Sequence, residues 1–434
     1  MVVVSGYNFQ IDMQCPQCGA PVVLNETEYI IQCSFCRTCN IIHTHPYPCY
    51  YMEPRQKKYS SLKIAYVPYW RFKGLEFTLG KNTPRFRVID NSYLAVHKTL
   101  MPPSMGLRAQ TQKLKFLHKG ITGSFLPPAI SRKEILQQIG GSGDKKVHIG
   151  EILSLIFMPF YQDRDVIYDG LTGKSVSMHP SDPVLNLALN LAANKKSPAY
   201  NLKFTPSICP NCGWDLKGET DSLVLHCNNC MSFWMIRNNL KVTRKKLNRL
   251  KAMFFDSKSD MHIQIPFWRL QIEFSNLECS TYAHLTKIAN IPRIVKSPKS
   301  IQPNNIKKDE QQILYFYIPA FKLNPKLFLR IGKQVTLAGI EPPMIEPSRT
   351  DNIPQGMFHP VDLPVEEGLQ AVGPVLMNLS ANKKNIWNLL EKEKFKLKTY
   401  SLVYVPFYAA GSEYIQKTLG FSIQKNSLKF GRQL

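Results

Sequence analysis

The chain has 434 residues, 44% hydrophobic and 11% aromatic, which suits a folded protein of two or more domains and excludes a disordered one. Its formal charge of +24 points to an anionic partner: nucleic acid, an acidic protein surface or an anionic membrane surface. No apolar run reaches the roughly 18 residues of a transmembrane helix, and "MVVVSGYNFQIDMQ" lacks the features of a signal peptide, so a cytoplasmic protein is expected.

The first predicted element is "CPQCGAPVVLNETEYIIQCSFC", which pairs Cys15 with Cys18 and Cys33 with Cys36 in the form C-x2-C-x14-C-x2-C. In a reducing compartment such pairs read as metal ligands rather than disulfides. A Cys-Pro-x-Cys-Gly turn points two thiolates at one centre, with the glycine letting the backbone curl beneath it. A short hairpin then returns the second pair, and four thiolates close a structural tetrahedron for Zn2+. Cys39 is a candidate competitor for Cys33 or Cys36, but the second array has no counterpart to it, so it is read as a bystander. Cys49, Cys279, His43 and His45 are read as non-ligands.

Strands are expected next, in "KIAYVPYWRFKGLEFTL" (63–79) and "SLIFMPFY" (154–161). Their prolines belong at an edge, a bulge or a strand start, which implies a bent or partly open sheet. Between them "SRKEILQQIG" (131–140) reads as a short helix with a C-terminal glycine, and "SDPVLNLALNLAANKKSP" (181–198) as a helix leading into a linker.

The second array, "CPNCGWDLKGETDSLVLHCNNC", repeats the spacing with Cys209, Cys212, Cys227 and Cys230. With both sites filled the charge falls only to about +20. Directly after it comes "RNNLKVTRKKLNRLKAM" (237–253), carrying Lys241, Arg244, Lys245, Lys246, Arg249 and Lys251. As a helix it would place Lys241, Lys245 and Arg249 on one face, able to neutralise phosphates; the competing reading is a solvated helix face. Strands return in "HIQIPFWRLQIEF" (262–274), a polar loop follows in 296–312, and a second short helix is expected in "PVEEGLQAVG" (364–373).

These segments form an ordered series. The ribbons lie 194 residues apart, "YVPYWRF" and "QIPFWRL" 198, "FLPPAISRKEILQQIG" and "FHPVDLPVEEGLQAVG" 233, and "SLIFMPFY" and "SLVYVPFY" 247. A weaker link joins 93–116 to 315–337. Constant order with a growing offset implies tandem duplication with insertions. The expected fold is α+β and β-rich, each copy a zinc ribbon followed by a strand-rich sheet or partly open barrel with short helices. The expected divisions are ribbon 1 at 1–50, a β-rich domain at 51–180, a helix and linker at 181–204, ribbon 2 at 205–240, and the basic segment with the second β-rich domain at 241–434.

Catalytic motifs are missing. "DGLTGKS" (169–175) ends like a phosphate loop, but Tyr168 stands where the first glycine is needed. "DRDVIYDG" (163–170) has its glycine misplaced for a calcium loop. In the repeated Trp-Arg pairs, Trp70-Arg71 and Trp268-Arg269, the tryptophans read as core residues with the arginines turned outward; stacking on bases is the competing reading.

The ribbons followed by "VPYWRF" resemble a group of uncharacterised bacterial zinc-ribbon proteins, some labelled helicase-like or as having a transcription-factor-type ribbon. The resemblance implies two four-cysteine zinc sites and brings no activity, and a helicase would need the phosphate loop that this chain lacks. The reading is a non-catalytic zinc protein of two lobes that binds or scaffolds, with nucleic-acid contact. The alternatives are an adaptor docking on a protein complex or an anionic membrane surface, and an enzyme with its site between the lobes.

Overall fold

A computed structural model describes residues 9–45, 47–55, 64–80, 84–97, 101–106, 112–118, 120–131, 134–135, 145–163, 166–177, 201–236, 247–255, 263–291, 312–339, 344–345 and 358–432. The expected helix at 181–198 and nearly all of the 296–312 loop lie outside them, as do Lys241, Arg244, Lys245 and Lys246. The molecule is β-rich with a half-barrel sheet.

The first ribbon contains β1 (Gln10–Gln14), β2 (Pro21–Asn25), β3 (Ile30–Gln32) and β4 (Cys39–His45). The sheet that follows contains β5 (Cys49–Tyr51), β6 (Ile64–Leu79), β7 (Arg85–Leu94), β8 (Lys115–Phe116), β9 (Ser124–Phe125), β10 (Lys145–Asp163), β11 (Val166–Asp169) and β12 (Ser175–Ser177). The second ribbon is entered by β13 (Asn201–Pro206) and contains β14 (Val224–His226), β15 (Phe233–Ile236) and β16 (Leu247–Leu250). The remainder comprises β17 (Ala252–Phe255), β18 (Ile263–Phe274), α1 (Tyr282–Ala289), β19 (Phe316–Pro319), α2 (Pro325–Ala338), β20 (Met344–Ile345), α3 (Val365–Leu379), α4 (Lys383–Lys392), β21 (Phe395–Ala410), β22 (Glu413–Gln416), β23 (Phe421–Gln424) and α5 (Lys425–Gly431).

Two long antiparallel pairs, β6 with β10 and β18 with β21, form the spines of the sheets. The recurring prolines lie inside these strands rather than at their ends, and the ladder shows why. On β6, β9 pairs Ala65 and Tyr66, β7 takes over at Tyr69, and Pro68 falls in the gap. On β10, β5 pairs Leu155 to Phe157, β11 begins at Phe160, and Pro159 falls between them. Pro266 and Pro406 occupy the same handover points on β18 and β21. A residue without an N–H costs nothing where no neighbouring strand awaits it. The proline carbonyls remain in use: Pro68 accepts from Ala95 N–H at 2.9 Å and Pro266 from Ala320 N–H at 3.1 Å.

The same bonds recur in both halves. Trp70 Nε1 donates to Ile130 O at 2.7 Å, and Trp268 Nε1 to Leu363 O at 2.8 Å. Trp70 faces Leu155 across the ladder, and Trp268 faces Leu402. The proline carbonyls are met by Ala95 in the first half and Ala320 in the second, 225 residues apart.

Successive side chains of β6 alternate between two cores. Ala65, Val67 and Tyr69 join a cluster with Phe9, Ile11, Leu24, Ile31 and Ile42 of the first ribbon. Tyr66, Trp70 and Phe72 join another on the opposite face. Both tryptophans are core residues, as expected, but Arg71 does not turn outward. Its face of β6 is covered by the ribbon, so alternation carries its guanidinium into the interface, where it is 1% exposed. There it pairs with Glu26, which is equally buried, and with Asp90 through two bonds of 3.1 Å. Arg269 differs: half-buried, it lies over the Tyr315 ring at 3.3 Å and donates to Tyr317 Oη at 3.1 Å.

Two helix expectations need correction. The helix at 364–373 continues to Leu379 through Pro374. Gly373 is therefore not a cap but a close-packed position, where a Cβ would lie 3.4–3.5 Å from Phe395 and Leu79. The C-terminal end is capped from outside, by the Lys383 ammonium on the carbonyls of Met377 and Asn378 at 2.6 and 3.0 Å. The basic run is not helical where it is described: Leu247–Leu250 is a strand on β15, with Leu250 buried. At 131–140, where a short helix is expected, Ser131 and Glu134 form a capping box, and the residues after Ile135 lie outside the description.

The far ends of β6 and β10 enter the second half. Leu75, Phe77, Leu79 and Ile149 share its core, and Phe77 meets Phe328 at 6.3 Å. At the bulge in β10, Gly150 N–H donates to the buried Glu367 of α3.

Candidate metal centres and the surfaces around them

Each cysteine array closes into one cluster, Cys15/Cys18/Cys33/Cys36 and Cys209/Cys212/Cys227/Cys230, with all ligand atoms within 4.8 Å of one another. The Sγ–Sγ separations are 3.8 Å for Cys15–Cys36, 3.7 Å for Cys18–Cys33, 3.6 Å for Cys209–Cys230 and 3.4 Å for Cys212–Cys227. A tetrahedral ion with metal–sulfur bonds of about 2.3 Å has edges of about 3.8 Å. Both clusters could hold a metal ion and are compatible with zinc-ribbon-like sites.

The knuckles are built alike. Gly19 N–H donates to Cys15 O and Gly213 N–H to Cys209 O, both at 2.9 Å, with φ of 75° and 78° at the glycines. The second knuckle of each ribbon uses a non-glycine left-handed residue, Arg37 (φ 59°) or Met231 (φ 53°). A hydroxyl two residues after the last cysteine meets its sulfur: Thr38 on Cys36 at 3.0 Å and Ser232 on Cys230 at 2.9 Å. The Thr38 hydroxyl, then its N–H, takes the Cys36 thiol down to about 6. At Cys230, burial pushes upward, and the Asn211 and Ser232 side chains outweigh it to reach about 6. A hydroxyl donor to the ligand sulfur favours the thiolate that a metal needs.

Cys39 belongs to neither cluster. It starts β4 and packs in an apolar cluster with Ile30, Ile41, Leu216, Leu225 and Trp234. Cys49 and Cys279 are buried away from the ribbon clusters, and burial pushes both thiols up to about 12. His43 Nε2 meets Thr205 Oγ1 at 2.7 Å.

The cluster around Cys39 spans both ribbons, which the sequence did not foretell. β13 pairs antiparallel with β4 from Asn201↔His45 to Pro206↔Asn40. Thr220 O accepts from Tyr29 and Ile30 N–H at 2.8 and 3.0 Å, and Thr220 Oγ1 donates to Glu28 at 2.9 Å. The two clusters are thus embedded in one packed unit.

Of the basic run, Arg249 and Lys251 are exposed. A denser basic surface lies elsewhere, in "KEKFKLK" (392–398). Lys392, Lys394, Lys396 and Lys398 are all exposed, and Phe395 and Leu397 between them turn inward. Among the described residues only Lys396 of these four has an ion pair, with Glu273 at 3.4 Å. Strict lysine alternation before a strand was the available signal, eclipsed by the longer cluster at 237–253.

The phosphate-loop decoy resolves as a turn. Asp169 Oδ1 accepts from Leu171 and Thr172 N–H at 2.7 and 3.1 Å, which makes "DGLTGKS" a hairpin between β11 and β12 rather than a loop opening a helix. A cavity of about 440 Å³ lies between the ribbons and the C-terminal segment, lined by Glu28, Asp221, His359 and Arg432 among others. Its Asp221 and Arg432 hold each other through bonds of 2.7 and 2.8 Å, and its Glu28 holds Thr220. No helix among the described residues is long and apolar enough to cross a membrane.

Compared with known families, curated proteins and solved structures, the chain matches no family model, no curated protein and no solved structure. The reading of its function rests on its own residues.

Proposed function

We propose that the chain is a non-catalytic nucleic-acid-binding protein of two similar lobes, clamped by two structural Zn2+ ions and descended from a tandem duplication. The equivalent proline handovers and tryptophan bonds support the duplication, and the expected divisions near residues 50, 180, 204 and 240 follow from it. Four-thiolate clusters with no open position support zinc in a structural rather than a catalytic role. The cytoplasm, where thiols stay reduced, is the compartment that suits them.

The observation that carries the binding reading is the exposed lysine face at 392–398, largely without acidic partners, on a chain of charge +24. Lys396 and Lys398, at alternate positions of β21, stand about 6.6–6.8 Å apart along the strand, and Lys392 and Lys394 lead into it, a group of cations for a polyanion. The run from Lys241 to Lys251 adds to the same basic character.

The test is fluorescence anisotropy of the zinc-loaded protein with labelled DNA and RNA over a salt series. Binding that weakens steeply with salt is expected. Replacing Lys394, Lys396 and Lys398 by Glu should lower the salt slope for single strands by about 2, near 0.7 per lost phosphate contact. Absence of salt-sensitive binding near physiological salt would sink this reading. An adaptor on an acidic protein or anionic membrane surface would then replace it.

A further inference from the structure

Phe35 and Trp214 are the most exposed large apolar side chains among the described residues, at 68% and 63%. Both stand on metal knuckles. Phe35 directly precedes the ligand Cys36, and Trp214 follows the ligand Cys212 by two residues. Their backbones are fixed: Cys209 N–H donates to Trp214 O at 2.7 Å, and Arg37 N–H to Cys33 O at 2.9 Å. Neither ring is spent on the core, so both are largely open to a ligand.

The two knuckles occur at the same end of the β4–β13 pair. β4 begins at Cys39, just after the Phe35 knuckle, and β13 ends at Pro206, just before the Trp214 knuckle. Ser207 N–H donates to Cys39 O at 3.0 Å, Leu216 N–H to Ser207 O at 2.9 Å, and Ile208 bridges Asp215. Around the aromatics Ser34, Arg37, Asn211, Asp215 and Lys217 are exposed. Neither Arg37 nor Lys217 has an ion pair among the described residues, and Asp215 is the one acid of this group. An apolar protein-docking centre would be contiguous, with charges confined to its rim. Here Phe35 and Trp214, with the exposed Ile208, share the segments 34–37 and 208–217 with the polar Ser34 and Asn211 and the cations Arg37 and Lys217, and aromatic rings beside cations are the make-up of a surface for single-stranded nucleic acid.

We infer that the paired knuckles form one stacking platform for single-stranded nucleic acid, Phe35 and Trp214 taking bases and Arg37 and Lys217 the flanking phosphates. This rests on the nucleic-acid reading and deepens it, since it names single strands as the ligand and the ribbons as the reader. The duplex buries its base faces and is the poorer ligand.

Trp214 is its own reporter. The other four tryptophans, Trp70, Trp234, Trp268 and Trp387, are buried. Titration of the zinc-loaded full chain with oligouridine or oligothymidine should quench its emission, and Trp214→Leu should abolish that quench. Phe35→Ala and Trp214→Ala should each weaken single-strand binding by roughly 5- to 150-fold. Duplex binding should change far less. Both side chains are exposed, so unchanged zinc content and melting temperature will certify the fold. Undiminished single-strand binding by both alanine variants, with no quench in the parent, would overturn the platform while leaving the lysine surface and the broader reading intact. A parent that binds no nucleic acid at all would overturn both, and the lysine-to-glutamate variant, weakened for single strands and duplexes alike, separates electrostatic contact from stacking.

Discussion

Glu26 and Arg71 meet where the first ribbon closes over β6, and neither touches water. Burial pushes the Glu26 carboxyl up, and Arg71 is the strongest influence holding it down. Removing one partner of such a pair costs about 3–5 kcal/mol, whereas replacing both with apolar groups can restore much of it. Arg71→Met should therefore destabilise the protein strongly in urea, and Glu26→Leu added to it should recover part of the loss. A double variant no more stable than the single one would place the cost outside the Glu26 pair, in Asp90, left unpaired in both variants, and in packing against Phe9, whose ring lies 4.6 Å from the guanidinium. A second residue pair makes a pH prediction. Burial, then Arg432, depresses His359 to about 3, and burial raises Asp362 to about 6 against the pull of Lys322. Between pH 6.5 and 3 His359 takes up a proton only when unfolded, so stability falls as pH falls. Asp362 is protonated in the folded state near 6 but unfolded only near 3.8, so its contribution rises over that window. The two oppose each other. Asp362→Asn should steepen the loss of melting temperature between neutral pH and about pH 5, and His359→Asn should flatten it.

At the scale of elements, the aliphatic-Pro-aromatic segments mark the points where a long strand exchanges one neighbour for another. The second half adds a side chain to this device. Buried Gln416 donates from Nε2 to Pro406 O at 2.9 Å and accepts from Thr418 N–H at 2.7 Å, whereas in the first half Gly170 N–H reaches Pro159 O at 2.9 Å directly. Gln416→Leu keeps the volume but orphans the carbonyl. It should cost about 1–3 kcal/mol in urea unfolding, and an unchanged midpoint would mean that water reaches Pro406. The strands, the two cysteine clusters and the core tryptophans were legible in the sequence because each is a local pattern: fixed spacing, β-branched runs, a bulky ring after a strand proline. Arg71 was not, because alternation gives a face but not what covers it. Gly373 looked like a helix stop because its role lies in Phe395 and Leu79, distant in sequence. The lysine row and the exposed knuckle aromatics were missed because exposure is a property of the assembled surface.

For the whole molecule the decisive fact is that the ribbons fold as a pair. β13 joins β4, Thr220 O anchors Tyr29 and Ile30, and one apolar cluster joins Ile30 and Ile41 of the first ribbon to the second cysteine cluster. The binding free energy of a structural zinc, about 10–16 kcal/mol in small modules, is folding free energy. With zinc in both clusters, as proposed, loss of one ion should therefore loosen the other. Cys209→Ser with Cys212→Ser should leave one ion per chain by elemental analysis, held by Cys15, Cys18, Cys33 and Cys36. That ion should bind more weakly than in the parent, by roughly two- to hundredfold in competition with a chelator, the range expected for groups sharing a core. Cys33→Ser with Cys36→Ser should weaken the second site by the same factor, because coupling between two equilibrium sites is reciprocal. Unchanged affinity in both variants would mean that the shared cluster only juxtaposes two independent clips. Unequal factors would mean that one variant perturbs the fold beyond its metal, and the melting curve of that variant would reveal it.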